Sequence, residues 1–186
     1  MIESLAVTLL PAMFLALLFG SDIFARHCRH VSNGDTPIDR TLFACCKYAI
    51  MIPWGAMVLR SWGVAFPAVE RPGVLRWPAL VLWILGFALL FSGRLSLGSS
   101  FRIGLAREEI QLKKTGIFRL SRNPMYLGID ATLAAAALYT MNPVVLAVGI
   151  FIAAVHHKII LAEEVRLRRV FGETFDAYCR RARRYI

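Results

Sequence analysis

Two short segments carry the side chains best suited to chemistry. Arg122-Asn123-Pro124-Met125-Tyr126 places a cation, an amide, a proline and a phenol within five residues. Proline suits the first turn of a helix, because the amide hydrogen it lacks would be unpaired there anyway. The remaining first-turn amides, with Gly116-Ile117-Phe118 just upstream, can hold a polar ligand group through the backbone. The second segment is Glu163-Glu164. Adjacent carboxylates at the edge of an apolar stretch repel one another and lose solvation, so each requires a cationic partner. Arg166 or Arg168 can supply it from the same helix, and a cationic ligand can supply it otherwise. Asp130 is a third candidate, the only charge between Arg122 and Lys158. A carboxylate in so apolar a run points inward and marks a site; pairing with Arg26 or Arg94 is the plain structural alternative. Asp22 is similar but lies nearer the end of its run. His27-Cys28-Arg29-His30 and His156-His157 do not form a converging ligand set, so no metal is expected. Cys28, Cys45, Cys46 and Cys179 show no paired C-x-x-C spacing, which leaves neither a zinc site nor a disulfide framework to read.

These residues must be positioned by helices in a membrane. The chain has 186 residues, enough for a single domain. It is 58% apolar and 18% charged, against about a quarter charged in an ordinary soluble domain, and its mean hydropathy is +0.58. Disorder, collagen and coiled coil are excluded. The basic excess, 22 Lys and Arg against 12 Asp and Glu for a formal +10, fits membrane loops rather than nucleic-acid binding, which needs a basic face on a soluble fold.

A crossing helix needs about 20 mostly apolar residues. Ser4 to Phe24, Thr41 to Leu59 (broken by Pro53) and Trp77 to Gly93 qualify as spans. Tyr126 to Met141 and Pro143 to Leu161 form a tight hairpin about Asn142-Pro143, a dipeptide that starts turns. The expected fold is therefore an all-α polytopic membrane protein of about five transmembrane helices. It is one domain, with a three-helix part over 1–93 and a second part over 94–186. Segments 25–47, 94–122 and 158–186 hold 4, 7 and 8 Lys or Arg, while only Arg60, Arg71 and Arg76 lie elsewhere. The positive-inside rule then puts the N-terminus outside and the C-terminal tail in the cytoplasm, in an inner or plasma membrane. From Glu163 the tail continues as helix, with Leu167, Phe171, Phe175 and Tyr178 as one apolar stripe and Gly172 as a kink. The hairpin brings Glu163-Glu164 to the Arg122–Tyr126 segment. No internal repeat supports an inverted-repeat transporter.

The second half resembles a known superfamily. Leu97-Gly98 with Ser100-Phe101-Arg102, Thr115-Gly116-Ile117-Phe118-Arg119 and Arg122-Asn123-Pro124-Met125-Tyr126-Leu127-Gly128 occur in order. Glu163-Glu164, Leu167, Phe171-Gly172-Glu173, Phe175 and Tyr178 follow. This series is similar to the isoprenylcysteine carboxyl methyltransferases and integral phospholipid N-methyltransferases. The resemblance implies S-adenosylmethionine as methyl donor, in a cytoplasmic pocket made by the last two spans and the tail. It implies that Gly116, Ile117, Phe118, Arg122, Asn123, Pro124 and Tyr126 line the cofactor site, with Glu163 and Glu164 on the cofactor's positive end. Arg122 and Asp130 are the candidate catalytic residues. The acceptor would be a lipophilic substrate from the bilayer, with membrane lipids as the only other partners and no nucleic acid or metal. Asn123 stands where the carboxyl methyltransferases typically have His; the expected acceptor is an isoprenylcysteine-like carboxylate or a small lipid, with phospholipid amine N-methylation as the alternative.

Methyl transfer is an in-line displacement at a sulfonium carbon, so aligning the partners and excluding water can supply roughly 7–11 kcal/mol. A carboxylate acceptor needs no base; an amine acceptor does. No Gly-x-Gly-x-x-Gly fingerprint follows a strand, so the soluble dinucleotide-type fold is absent. Two other classes remain in view: an NADPH-dependent sterol-type reductase, whose C-terminal half has a similar architecture, and a non-enzymatic membrane adaptor with a lipid-binding basic tail.

Overall fold

A computed structural model describes residues 1–28, 39–65, 67, 72–97 and 112–186. Arg71, Gly98 and Ser100-Phe101-Arg102 fall outside them, as do Arg29 and His30, and of Asp22, Arg26 and His27 only the helical backbone is described. Among the described residues the regular structure is helical. The helices are α1 (Ile2–Cys28), α2 (Arg40–Ala49), α3 (Met51–Ser61), α4 (Arg76–Leu97), α5 (Pro124–Thr140), α6 (Pro143–Phe171) and α7 (Glu173–Arg181). Three stretches are long and apolar enough to cross a membrane: Thr41–Ser61, Gly73–Leu97 and Pro143–Phe171. Ile2–Leu18 is apolar but shorter. With 17 residues, α5 is about 26 Å long, less than the roughly 30 Å hydrocarbon layer.

The interruption expected at Pro53 falls one turn earlier, at Ile50 between α2 and α3. Pro53 has no amide hydrogen for the Ala49 carbonyl four residues back, and its ring crowds that carbonyl. The α5–α6 hairpin turns on Met141, which takes the left-handed conformation at φ 48. Asn142 then caps α6, its side-chain oxygen accepting from the amides of Val144 at 2.9 Å and Val145 at 3.1 Å. Pro143 occupies the first turn, where its missing amide hydrogen costs nothing.

Helix α5 packs most extensively on α4, and small residues permit it. A Cβ on Gly86 would lie 2.8 Å from the Gly128 carbonyl oxygen, and one on Gly128 would lie 2.7 Å from that of Gly86. The two backbones therefore touch, as small residues allow between membrane helices. Around this contact lies an aromatic core: Trp83 and Phe87 are 4.9 Å apart by ring centres, and Trp54 and Phe87 5.0 Å. The buried Trp54 indole donates to the Thr132 hydroxyl at 2.9 Å, tying α3 to α5. At the far end of α5, the Tyr139 hydroxyl donates to Glu3 at 2.6 Å, and Arg76 Nε donates to the same carboxylate at 2.9 Å. Both ends of α5 are thus fixed, and its first turn is held in place for the site.

Candidate functional site

On the seam between α5 and α6, polar side chains pair in three successive rungs. Tyr126 and Asp130, four residues apart, stack on one face of α5, and Arg122 precedes the helix by two residues. Opposite them, the antiparallel α6 presents Glu164, Glu163 and His156. Arg122 Nη2 donates to Glu164 at 2.7 Å. The Tyr126 hydroxyl donates to Glu163 Oε1 at 3.0 Å. His156 Nδ1 lies 3.0 Å from Asp130 Oδ1, and the His156 ring meets the edge of Tyr126 at 5.2 Å between centres.

The two glutamates have different surroundings. Glu164, with only 11% of its side chain exposed, receives two guanidinium groups, from Arg122 and from Arg184 at 2.7 Å. Neither Arg166 nor Arg168 is its partner; Arg168 instead pairs with Asp176 at 2.8 Å. Glu163 is bound through one oxygen by a neutral phenol. Arg166 adds an electrostatic attraction to it, and among the described residues no hydrogen bond reaches its second oxygen.

The C-terminal tail closes the outer rung. Arg122 Nη1 donates to the Ala182 carbonyl at 2.7 Å, at the C-terminal end of α7 where a cation is favoured. The Arg122 amide donates to the Arg183 carbonyl at 2.9 Å, and the Asn123 side-chain amide to the Arg184 carbonyl at 3.1 Å. Asn123 therefore spends its side chain on the tail, and α5 begins without a side-chain cap.

A cavity of about 140 Å3 opens beside these rungs. Lys113, Arg122, Asn123, Glu163 and Glu164 supply its polar wall, and Phe118, Leu167 and Phe175 much of its apolar one. Tyr178 lines it too, donating to the Phe118 carbonyl at 2.6 Å. Burial pushes the Tyr178 phenol up to about 12, so it stays a neutral donor at physiological pH. Small-ligand pockets usually measure about 300–1,000 Å3, so the space enclosed by the described walls is smaller than a usual ligand site.

Of the residues singled out in the sequence, Phe118, Arg122, Asn123, Glu163 and Glu164 line this cavity. Gly116, Ile117, Pro124 and Tyr126 do not: Gly116 and Ile117 shape the 3-10 turn Gly116–Arg119 that carries Phe118, Pro124 starts α5, and Tyr126 stands behind Glu163. Asp130 sits two rungs below Arg122, paired with His156 and not with Arg94. Among the described residues no group of three His, Cys, Asp or Glu converges on a point. His156, Tyr178 and Arg184 are additions that the sequence did not single out as partners. The first could have been found by counting outward from the hairpin turn; Arg184 left no such signal.

No curated protein matches the chain. The family model described as phospholipid methyltransferase matches residues 74–174, which takes in α4, α5, α6 and every rung of the seam, while Tyr178 and Arg184 lie just beyond. That match covers more than half of the sequence, and on it the chain belongs to the phospholipid methyltransferase family, membrane enzymes that transfer methyl groups.

Proposed function

We propose that this enzyme uses S-adenosylmethionine to methylate a lipophilic acceptor drawn from the bilayer. We further propose five spans, with α1, α2–α3, α4, α5 and α6 crossing in turn, the N-terminus outside and the seam's outer rung cytoplasmic. The observation that carries the reading is Glu163, a carboxylate with a free oxygen at the edge of a partly aromatic cavity. The donor set fits the cofactor: a carboxylate for its cationic end, and Phe118 and Phe175 for a flat aromatic base.

When bound, the cofactor supplies a methyl group on a positively charged sulfur. The chain's own residues do the rest. Tyr126 fixes the rotamer of Glu163, so that its second oxygen is presented rather than searching for a partner. Glu164 locks Arg122 and Arg184 together and so holds α5, α6 and the tail at fixed separation. Phe118, Leu167 and Phe175 exclude water, which strengthens electrostatic interactions inside the site.

A phospholipid amine is the acceptor that a further observation favours over a carboxylate. Amine nitrogen attacks through its lone pair, and the product ammonium or its precursor must lose a proton. The Asp130–His156 pair, one rung below Glu163, offers a proton-accepting group there. A carboxylate acceptor would need no such group and would be repelled by Asp130.

Titration calorimetry of the detergent-solubilised protein with S-adenosylhomocysteine tests the reading. Wild type should bind, and Glu163→Gln should bind about 10- to 100-fold more weakly, the loss of one charge-assisted hydrogen bond. Absence of binding by folded wild-type protein would refute it.

A further inference from the structure

We propose that a second cavity, beside α7 and sharing Tyr178 with the first, binds the phosphate group of an acidic membrane lipid. This cavity measures about 490 Å3, within the usual range for a ligand site. One face of α7 forms its floor: Thr174, Ala177, Tyr178 and Arg181 follow one another at helical spacing. Lys114, before the 3-10 turn, and Arg119, its last residue, stand across from them. Three cations and a hydroxyl thus face one space, and among the described residues no Asp or Glu lines it.

Elsewhere near this end of the protein, some arginines are neutralised within the fold, while Arg169, Arg180 and Arg183 are exposed outside both cavities. Arg122 and Arg184 share Glu164, and Arg168 has Asp176. Among the described residues Lys114, Arg119 and Arg181 have no acidic partner. Three like charges around one cavity repel one another, and an anion between them removes that cost. A phosphate matches this arrangement, because its oxygens accept charge-assisted hydrogen bonds from several cations and a hydroxyl at once. Ala177, with its small side chain, leaves the floor open. Tyr178 forms a wall common to both cavities, and since its hydroxyl is engaged by Phe118 it adds no charge to either.

The lipid source follows from position. Helix α6 has 29 residues, about 43 Å at 1.5 Å per residue. That equals the roughly 40–45 Å thickness of a bilayer with its headgroup layers. Thr174 comes three residues after α6 ends, so the cavity lies at headgroup level when α6 crosses. Leu120, 71% exposed beside Arg119, offers apolar surface next to the cations, which suits a lipid and not a free ion. None of this depends on the methyl-transfer reading, and the site can be tested without turnover.

The test titrates full-length protein in an uncharged detergent with short-chain phosphatidylglycerol, short-chain phosphatidylcholine and inorganic phosphate, read by microscale thermophoresis. Wild type should prefer phosphatidylglycerol to phosphatidylcholine by about tenfold or more. Each Lys or Arg near an anionic lipid is worth about a fivefold change in affinity, so Lys114→Gln/Arg119→Gln/Arg181→Gln should lose roughly a hundredfold. Arg169→Gln/Arg180→Gln/Arg183→Gln removes the same charge from exposed positions outside the cavity and should keep most of the affinity. Equal losses in the two triple variants would overturn the proposal in favour of diffuse surface attraction. Binding of inorganic phosphate without preference for phosphatidylglycerol would overturn the lipid assignment. S-adenosylhomocysteine binding, measured on the same samples, should be retained by the cavity variant, which separates this site from the seam and shows that the variant is folded.

Discussion

His156 Nδ1 and Asp130 Oδ1 lie 3.0 Å apart across the α5–α6 seam, with the histidine almost wholly buried. A hydrogen-bonded carboxylate and imidazole in an apolar helix pair is costly unless it serves a purpose. If it accepts the proton of an amine acceptor, Asp130→Asn should lower turnover by about 10²–10⁴ while leaving S-adenosylhomocysteine affinity nearly intact. His156→Gln should lower turnover less, since it keeps a donor to Asp130. Turnover assays on folded variants check this; an Asp130→Asn enzyme as fast as wild type would show that the acceptor needs no base.

The two neighbouring glutamates should separate by phenotype. Glu164→Gln leaves Arg122 and Arg184 without their shared charge and should destabilise the fold by about 1.5–3 kcal/mol, seen as a lower Tm in detergent. Glu163→Gln removes no ion pair and should keep the wild-type Tm, yet bind the cofactor poorly. The opposite pattern, with Glu163 carrying stability and Glu164 binding, would exchange their roles.

Contact between α4 and α5 rests on missing side chains. Gly128→Val would drive a Cβ to within 2.7 Å of the Gly86 carbonyl oxygen, and overpacking of this kind costs about 1–3 kcal/mol. Because α5 carries Tyr126 and Asp130 and follows directly on Arg122, the variant should lose activity along with stability. Gly55→Ala has open space around its Cβ and should lose neither. Thermal unfolding and turnover of the two variants provide the comparison.

Topology gives a further expectation. On a background with Cys28, Cys45, Cys46 and Cys179 replaced, Arg180→Cys should react with an impermeant thiol reagent only from the cytoplasmic side. Val64→Cys, exposed after α3, should react only from outside. Labelling of both from the same side would contradict the five-span arrangement.

The seam was legible because it is local in a folded-back sense. Asp130 lies twelve residues before Asn142 and His156 fourteen after it, so a hairpin turned there must bring them close. The same reflection pairs Arg122 with Glu164, while Tyr126 reaches Glu163, three residues beyond its reflected position Ile160. The apolar stripe of Leu167, Phe171, Phe175 and Tyr178 was legible from its period, and Gly172, at φ 48, ends α6 where its type predicts. Arg184 was not legible. Its place on Glu164 depends on the direction the chain takes after Gly172 and on the hydrogen bonds of residues 121–123 to the tail, neither of which has a periodic signature. The glycine contact between α4 and α5 was equally hidden, since Gly86 and Gly128 in apolar runs look like any other small residues until both helices are placed. Pro53 announced a break but not its position, because the proline disrupts the turn that precedes it.

The central claim is that the seam of α5 and α6 transfers methyl groups to a lipid. Incubation of the purified protein with methyl-labelled S-adenosylmethionine and extracted membrane lipids, followed by chromatography of the organic phase, tests it most directly. Label should appear in a lipid product with wild type and fall to background with Glu163→Gln at unchanged Tm. A folded wild-type enzyme that leaves every lipid unlabelled, or a Glu163→Gln variant that labels lipid as fast as wild type, would contradict it.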